Sequence, residues 1–470
     1  MKTHTKILVQ VIRSALLLTP LLAPLLAPLA VHAADSKKPN IIVILADDMG
    51  YADAGFNGCK DIPTPHLDSI AKNGIRFSAG YVTAPQCAPS RAGFLMGVDQ
   101  NRIGCENNNV TDIAGLSEGA TIADRMRAAG YRTGMVGKWH LGTKPGQQPL
   151  DRGFDEYFGF LRGSSDYLPP AGQMSIRQIL EGRKPVLVSG YLTDAFGERA
   201  VRFITENKAE PFFLYLAFNA PHTPLQAPAE EIAKFAHITD TKRRTYAAMV
   251  STMDRNIGRV LEALKTSGLE QDTLVVFLSD NGGPESTCAD NKPLRGWKGD
   301  IFEGGIRVPF VMQWPGTIKP GLTADTPVTS LDLLPTALAA AGQPIPDSLD
   351  GANLLPALRG AEPFPRRLLT WRFPFSADVT KASWGIRDGD WKLVKGTGPS
   401  GVELFDLSKD IGESGDLFAA QPDIRARLQK AHEAWLASLP AAFTRVSPEE
   451  VNKFVVKKQA GRKKAEGEEK

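Results

Sequence analysis

The chain has 470 residues, of which 42% are hydrophobic and 23% charged, a composition typical of a globular protein with a sizeable buried core. Its formal net charge is +3. The first 33 residues hold three basic residues (Lys2, Lys6 and Arg13) and no acidic one, which leaves 52 basic and 52 acidic residues in the rest of the chain. This balance argues against a general nucleic-acid-binding surface and against a charged membrane-binding surface.

Residues 1–33 have the pattern of a secretory signal peptide. Basic residues precede the apolar run SALLLTPLLAPLLAPLA, and the small residues of VHA predict cleavage after Ala33. Three prolines, Pro20, Pro24 and Pro28, interrupt the run, whereas a membrane-spanning helix needs about twenty consecutive apolar residues. We therefore expect a periplasmic or secreted protein without a membrane anchor.

Three short apolar runs predict strands that are buried on both faces of a sheet. They are NIIVIL (40–45), FFLYLAF (212–218) and TLVVFLS (273–279). Amphipathic segments such as TPHLDSIAKNG, TIADRMRAAG and RRTYAAMVSTMDRNIGRVLEALKTSG alternate with these runs and predict helices. The alternation predicts an α/β fold with a central, mostly parallel sheet flanked by helices.

The character of the sequence changes near RGAEPFPRR (359–367), which has the composition of a linker. Beyond it, ASWGIRDGDWKLVKG predicts a hairpin that turns at Asp388-Gly389, VELFDL a further strand, and QPDIRARLQKAHEAWLASL a helix. We therefore predict a main domain over 39–360, a smaller C-terminal α+β subdomain built on an antiparallel sheet over 366–446, and a largely disordered tail over 447–470.

Polar oxygen-bearing residues follow two of the predicted strands. Asp47 and Asp48 come after the first strand, and Asp280 and Asn281 come after the third. Either pair alone is more simply explained as a helix N-cap. Two pairs at matching strand ends, where ligands of open α/β sheets collect, favour a site for a hard cation such as Ca²⁺ or Mg²⁺.

Cationic and imidazole side chains occur in motifs that also follow predicted strands. Lys138 and His140 are two residues apart in GMVGKWHLG and would share a side if that segment is extended. His222 follows the second apolar run, and Lys298 lies among glycines. Together with Arg91, these groups could form a basic pocket for a tetrahedral oxyanion.

The stretch TAPQCAPSRAGF raises the question of what Cys87 does. A cysteine in this setting could be a thiolate nucleophile, half of a disulfide or a small core residue. The other cysteines are Cys59, Cys105 and Cys288, so at most one intramolecular bridge can form if Cys87 is used chemically.

The stretch CAPSR fits the pattern C-x-P-S-R, and the chain resembles the sulfatase family of the alkaline-phosphatase superfamily, including arylsulfatases and N-acetylgalactosamine sulfatases. The resemblance covers residues 39 to about 316 in the order of the family. Its motifs are PNIIVILADDMGYADAGFNG, TPHLDSIAKNGIRFSAGYVTAPQCAPSRAGFLMG, GYRTGMVGKWHLG, RGFDEYFGF, APHTPLQAP, LSDNGG and LRGWKGDIFEGGIRVPFVMQWPG.

The resemblance implies that a maturation enzyme converts Cys87 into Cα-formylglycine, whose hydrate attacks the sulfur of a sulfate ester. A geminal diol has a second hydroxyl that can expel sulfate as the aldehyde forms again. The resemblance also implies one Ca²⁺, bound by Asp47, Asp48, Asp280, Asn281 and the modified Cys87.

The resemblance assigns the remaining roles as follows. Arg91 would hold the diol, and Asp280 would accept the proton of the nucleophile. Lys138 and Lys298 would neutralise sulfate oxygens. His222, with Lys298, would protonate the leaving ester oxygen, and His140 would take a proton to release sulfate. Ser164 and Ser165 would supply one more sulfate contact, with a polar loop as the equal alternative.

The expected substrate is an O-sulfated polysaccharide or oligosaccharide. The stretches RAGFLMGVDQNRIGCENN and GFDEYFGFLRGSSDYL resemble sulfatases that act on galactose or N-acetylgalactosamine sulfates. Trp371, Arg372 and Trp384 could line a sugar subsite, although tryptophan is at least as often a core residue. Two alternatives stay open: a phosphodiesterase or phosphonate monoester hydrolase, and a non-catalytic protein that binds sulfated glycans.

Overall fold

The computed structural model describes residues 38–108, 114–374, 381–396 and 401–439. The predicted signal peptide at 1–33 and the predicted tail at 447–470 lie outside these ranges. The predicted domain boundaries stay predictions. Within the described ranges, no helix has both the length and the apolar character needed to cross a membrane.

Ten strands form one large sheet and four form a small one. The strands are β1 Asn40–Ala46, β2 Ile75–Phe77, β3 Gly80–Tyr81, β4 Arg132–Lys138, β5 Glu156–Phe160, β6 Ile176–Glu181, β7 Lys184–Val188, β8 Phe212–Ala217, β9 Thr273–Ser279, β10 Phe310–Gln313, β11 Leu322–Ala324, β12 Val328–Thr329, β13 Leu368–Phe373, β14 Ser383–Asp388, β15 Trp391–Lys395 and β16 Val402–Asp406. The large sheet has the order β11-β2-β10-β9-β1-β8-β4-β5-β6-β7, and β3 pairs with β12 separately.

Helices flank both faces of the large sheet, and the last helix packs on the small sheet. They are α1 Pro65–Lys72, α2 Cys87–Met96, α3 Ala114–Glu118, α4 Ile122–Ala128, α5 Leu192–Glu206, α6 Ala229–Ala233, α7 Thr241–Thr266, α8 Glu303–Ile306, α9 Leu333–Ala340, α10 Leu355–Leu358 and α11 Pro422–Ser438. Apolar side chains of α2, α4 and α9 join the core on one face, and those of α1, α5 and α7 join the core on the other.

The centre of the large sheet is parallel. Strands β9, β1, β8, β4 and β5 run in the same direction, while β10 is antiparallel to β9 on one side and β6 is antiparallel to β5 on the other. The edge strand β7 is antiparallel to β6. In β1, Ile41 and Val43 belong to one core and Ile42 and Ile44 to the other, because successive side chains of a strand point to opposite faces. The predicted mostly parallel sheet is confirmed.

The small sheet is the predicted C-terminal antiparallel element, with the order β13-β14-β15-β16. Asp388 pairs with Trp391, so the two-residue turn is Gly389-Asp390, one residue later than predicted. Gly389 has a φ of 58° at the first turn position, where hairpins of this length favour glycine. Helix α11 packs on one face of the small sheet through Leu428. The other face packs against apolar residues in and around α8.

Candidate active site

Several predicted site residues lie at the carboxyl edge of the parallel strands. Asp47 and Asp48 follow β1, Asp280 and Asn281 follow β9, and Lys138 is the last residue of β4. Because β1 pairs in parallel with β9 and with β8, and β8 pairs in parallel with β4, the ends of these strands open at the same edge of the sheet. Polar residues 233 positions apart in the sequence are therefore adjacent in the fold, as the hydrogen bond from Asn281 to Asp48 shows.

Four acidic or sulfur ligands converge at this edge. Ligand atoms of Asp47, Asp48, Cys87 and Asp280 all lie within 4.8 Å of one another, and all four residues are buried. Cys87 Sγ is 3.4 Å from Asp47 Oδ1. The backbone of Asp48 has a φ of 70°, and its N–H donates to Asp280 Oδ1 at 3.2 Å. This left-handed conformation, which Asp tolerates better than most residues, links the two strand ends.

Asn281 tests whether these residues fit a metal ion. Its Nδ2 donates to Asp48 Oδ1 at 2.7 Å and to Gly282 O at 3.0 Å. Its Oδ1 is buried and has no hydrogen-bond partner within the described ranges. A buried acceptor without a donor is costly unless a cation or water satisfies it. Three carboxylates and an amide oxygen are ligands that Ca²⁺ and Mg²⁺ prefer, so the donor set fits a hard divalent cation.

Each carboxylate also has one close cationic partner. The contacts are Lys138 Nζ to Asp47 Oδ2 at 2.6 Å, Lys298 Nζ to Asp48 Oδ1 at 2.6 Å and Arg91 Nη2 to Asp280 Oδ2 at 2.8 Å. The formal charges of these six side chains cancel. A divalent cation would therefore make the site positive, which suits an anionic ester.

The cations also set the electrostatics of the carboxylates. Burial alone would raise the pKa of Asp47, but Lys138, His222 and Arg91 lower it well below its usual range. Burial raises the pKa of Asp280, and the negative charge of Asp47 adds to this rise. The two carboxylates therefore differ in basicity, and Asp280 is the better proton acceptor of the pair.

Cys87 is the first residue of helix α2 and is fully buried. Lys298 Nζ lies 3.2 Å from its Sγ, and the neighbouring Ala88 N–H donates to Asn108 Oδ1 at 2.9 Å. Burial raises the pKa of the Cys87 thiol to about 12, although Lys138 and Lys298 oppose this. An unmodified Cys87 is therefore protonated near neutral pH, which argues against the thiolate alternative.

The disulfide alternative finds no support, since all four cysteines are free thiols. Cys105 is fully buried among apolar side chains of the large core. Cys59 Sγ donates to Asp61 Oδ1 at 3.2 Å. Cys288 Sγ is 3.8 Å from Asp240 Oδ1.

Arg91 lies beneath the ligand cluster. Its Nε donates to Asp280 Oδ2 at 2.9 Å and its Nη1 to the carbonyl of Lys138 at 2.8 Å. Arg91 thus holds Asp280 in place. Its expected contact with a nucleophile at position 87 stays a prediction.

The two histidines stand at different places in the site. His222 Nε2 is 3.7 Å from Asp48 Oδ2, and its Nδ1 is 2.6 Å from Thr223 O. His140 follows β4 with a φ of 61°, so the segment from Lys138 is not extended and the expected alternation does not apply. Burial lowers the pKa of both rings, which are therefore neutral at pH 7.

The hydroxyl of Ser165 donates to Asp166 O at 3.2 Å. Its role as a sulfate contact stays a prediction. Tyr167, which no motif had indicated, supports the His222 segment: its hydroxyl donates to Asn219 O and, at 2.8 Å, to His222 O. In the sequence, only its position two residues after Ser165 could have indicated that Tyr167 lies near the site.

The predicted sugar subsite residues have structural partners. Trp371 is buried and its Nε1 donates to Val82 O at 2.8 Å. Arg372 forms a buried ion pair with Glu106. Trp384 stacks on His432 with ring centroids 3.9 Å apart. These contacts favour the core interpretation for the two tryptophans.

Residues 39–343 match the sulfatase family model. Residues 296–437 match a second model, described as the C-terminal part of N-sulphoglucosamine sulphohydrolase. The fold and the carboxyl-edge site thus define an enzyme of the alkaline-phosphatase superfamily. The chain belongs to the sulfatase family, whose members hydrolyse sulfuric esters, and the prediction of a sulfatase is confirmed.

Individual relatives agree with this assignment. Human arylsulfatase A is 32% identical over 480 residues, which span 88% of this chain and 91% of that protein. The N-acetylgalactosamine-6-sulfatase of Canis lupus familiaris is 32% identical over 453 residues, 85% of each chain. Mouse arylsulfatase J is 33% identical over 376 residues; the match spans 77% of this chain and 62% of that protein's length.

A solved structure is similar over most of the chain. Ps i-CgsB, in complex with k-i-k-neocarrahexaose, superposes with a TM-score of 0.81 at 38% sequence identity. The match covers 85% of this chain and 93% of that one.

Proposed function

We propose that this protein is an exported sulfatase that removes O-sulfate from a polysaccharide or oligosaccharide, with Cα-formylglycine at position 87 and one Ca²⁺. The observation that carries the proposal is the placement of Cys87 at the start of α2, within the group of oxygen ligands and 3.2 Å from Lys298 Nζ. A buried thiol there serves neither a disulfide nor an apolar core.

Formylglycine and Ca²⁺ would each supply part of the chemistry. A formylglycine at position 87 would supply, as its hydrate, one hydroxyl to attack sulfur and a second to expel sulfate. Ca²⁺ would be held by Asp47, Asp48, Asp280, Asn281 and residue 87, and would supply Lewis acidity at the attacked sulfate. The partnerless Oδ1 of Asn281 supports this ligand set.

The side chains around position 87 divide the remaining work. Asp280, held by Arg91, accepts a proton from the nucleophile. Buried Lys138 and half-buried Lys298 bring two positive charges to the sulfate oxygens, where negative charge is redistributed in the transition state. Their fixed contacts with carboxylates place these charges before the substrate arrives.

The histidines handle protons at the leaving group and at product release. Thr223 O fixes Nδ1 of His222 as a donor, so Nε2 is the atom that exchanges a proton with the ester oxygen. An arriving anionic ester favours the imidazolium form that this acid step requires. His140 Nδ1 is buried without a hydrogen-bond partner within the described ranges, and it is our candidate to accept the proton that frees sulfate.

The proposed substrate class is a galactose- or N-acetylgalactosamine-type sulfate. Support comes from the similarity to an N-acetylgalactosamine-6-sulfatase and to a structure that holds a neocarrahexaose. Export is proposed from the N-terminal sequence pattern, and the maturation enzyme that forms the aldehyde is the implied partner.

Mass spectrometry of the peptide 77–91, released by cleavage at Arg76 and Arg91, tests the modification. Conversion of CH₂SH to CHO should lower the mass by about 18 Da. A native, active protein with an intact thiol would contradict the role of formylglycine.

Substrate comparison tests the reaction. We expect faster turnover of p-nitrophenyl sulfate than of p-nitrophenyl phosphonate or phosphodiester analogues, and faster desulfation of galacto- than of gluco-configured sulfated oligosaccharides. Preferred phosphoester turnover would favour the phosphodiesterase alternative. Binding of the sulfated sugars without turnover would favour a glycan-binding protein.

A further inference from the structure

The loop that carries Lys298 is fixed to the active site at its centre. Lys298 Nζ contacts Asp48 and Cys87, as described above. The next residue, Gly299, donates its N–H to Pro85 O at 2.9 Å, two residues before Cys87. The position of the Lys298 ammonium therefore also depends on the contacts that hold the rest of this loop in place.

The loop ends in helix α8, whose first residue is Glu303. The Glu303 carboxylate is completely buried. Its Oε1 accepts from Lys392 Nζ at 2.9 Å, and its Oε2 accepts from the Tyr81 hydroxyl and from Arg307 Nη1 at 3.2 Å. Lys392 lies on β15, so the contact joins the active-site loop to the small sheet.

Glu413, which follows β16, completes this connection. Its Oε2 accepts the backbone N–H of Glu303 at 2.7 Å, at the start of α8. Its Oε1 lies 2.8 Å from Lys392 Nζ, and its carbonyl accepts from Arg295 Nη1 at 2.9 Å. Glu303, Lys392 and Glu413 have an exposed fraction of 0%, and we name them the buried triad.

Stability alone does not account for the buried triad. Replacing buried ion pairs by apolar residues of similar volume is often neutral or stabilising. The surrounding interface already has an apolar cluster, which includes Ile301, Phe302 and Val394. The charged groups add a defined geometry, because hydrogen bonds to both the side chain and the backbone of Glu303 fix the position of α8 relative to β15.

We propose that Lys392 is a positioning residue for Lys298: through Glu303 and Glu413, the small sheet sets where the Lys298 ammonium stands in the sulfate site. Lys392 does not reach the reacting atoms, and it acts through the loop between Arg295 and Glu303. This inference rests on the proposed function, because it assigns Lys298 to the sulfate ester.

The test compares Lys392→Met with wild type on p-nitrophenyl sulfate, after formylglycine content and folding have been verified. We expect kcat to fall about 10- to 100-fold with a small change in KM, since misplacement by about 1 Å can cost that much. In a Lys298→Ala background the same substitution should cost less than about twofold, because both changes act through one group. An unchanged kcat, or additive losses, would overturn the inference.

Two further variants separate positioning from stability. Arg367→Met breaks a different ion pair, between the residue that precedes β13 and buried Asp332, and should lower Tm while leaving kcat within about twofold. Lys392→Met combined with Glu413→Gln removes the ammonium together with the carboxyl group that faces it, and should recover Tm but not kcat. If Lys392→Met alone does not fold, this double variant replaces it in the measurement of kcat. Recovery of kcat together with Tm would show a purely structural role and overturn the inference.

Failure of the proposed function would look different. A wild-type protein that contains formylglycine yet does not hydrolyse p-nitrophenyl sulfate contradicts the proposed function. An active wild type with an unaffected Lys392→Met variant contradicts the positioning role alone.

Discussion

The carboxyl edge of the large sheet and the inner face of the small sheet both bury charged side chains, but they satisfy them differently. At the carboxyl edge, each carboxylate has a cationic partner, yet Asn281 Oδ1 has no donor within the described ranges. At the small sheet, the Lys392 ammonium lies within 3 Å of both glutamates of the buried triad. A convergent group of metal-ligand atoms indicates a place for a cation, whereas a lysine held between two glutamates of different segments indicates a support.

We expect the largest effect from removing the Cys87 side chain, which lies within the ligand cluster of the carboxyl edge. Cys87→Ala should lower kcat by at least about 10³-fold, because no nucleophile can form there, and the fold should persist. Turnover of p-nitrophenyl sulfate and the circular dichroism spectrum are the measurements. The matched control is Cys105→Ala, a buried cysteine of the apolar core, which should keep kcat. Loss of folding in Cys87→Ala alone would favour a structural cysteine.

Adding and removing Ca²⁺ tests whether Asn281 Oδ1 is a metal ligand. Ca²⁺ at 100 times its Kd should stabilise the wild type by about 2.7 kcal/mol, and a chelator should abolish turnover reversibly. Asn281→Ala should reduce the Ca²⁺-dependent rise in Tm. Asn207→Ala, at a buried helix end, should lower Tm equally with and without Ca²⁺. Equal Ca²⁺ responses in wild type and Asn281→Ala would remove Asn281 from the ligand set.

Gly137→Ala tests the strand that supports the carboxyl edge. Gly137 has a φ of 112°, and a Cβ there would lie 1.9 Å from Ala217 O of the paired strand β8. We expect a loss of about 3 kcal/mol in the free energy of unfolding, measured by urea denaturation. Gly190→Ala, where a Cβ meets nothing within 4 Å, should be near neutral. A neutral Gly137→Ala would contradict the tight packing of β4 against β8.

The smallest effect concerns the outer face of the small sheet. Burial, with a contribution from Arg372, lowers the pKa of His432 to about 4. The unfolded chain then binds more protons than the folded chain between about pH 4 and 6.5, so stability falls as the pH drops through this window. His432→Phe should reduce that slope in Tm measured against pH. An identical slope would show that other groups dominate.

The sequence predicted strands correctly where the pattern of neighbouring apolar residues controls the structure. The run NIIVIL became β1, and TLVVFLS became β9 within the same bounds, because branched apolar residues suit a strand buried on both faces. Prediction from the sequence failed at single-residue backbone geometry. The turn at Gly389-Asp390 and the left-handed His140 depend on strand register and on neighbouring loops, which alternation does not specify.

The sequence by itself determined the chemical inventory: the residues of the carboxyl edge, the CAPSR motif and the order of motifs that resembles sulfatases. Only the tertiary structure decided which charges meet. It placed Asn281 beside Asp48, left its Oδ1 without a donor, and joined Lys392 to Glu303 across 89 positions of sequence. The physical reason is that buried charges are paired by packing between distant segments, and separation along the chain carries no information about that pairing.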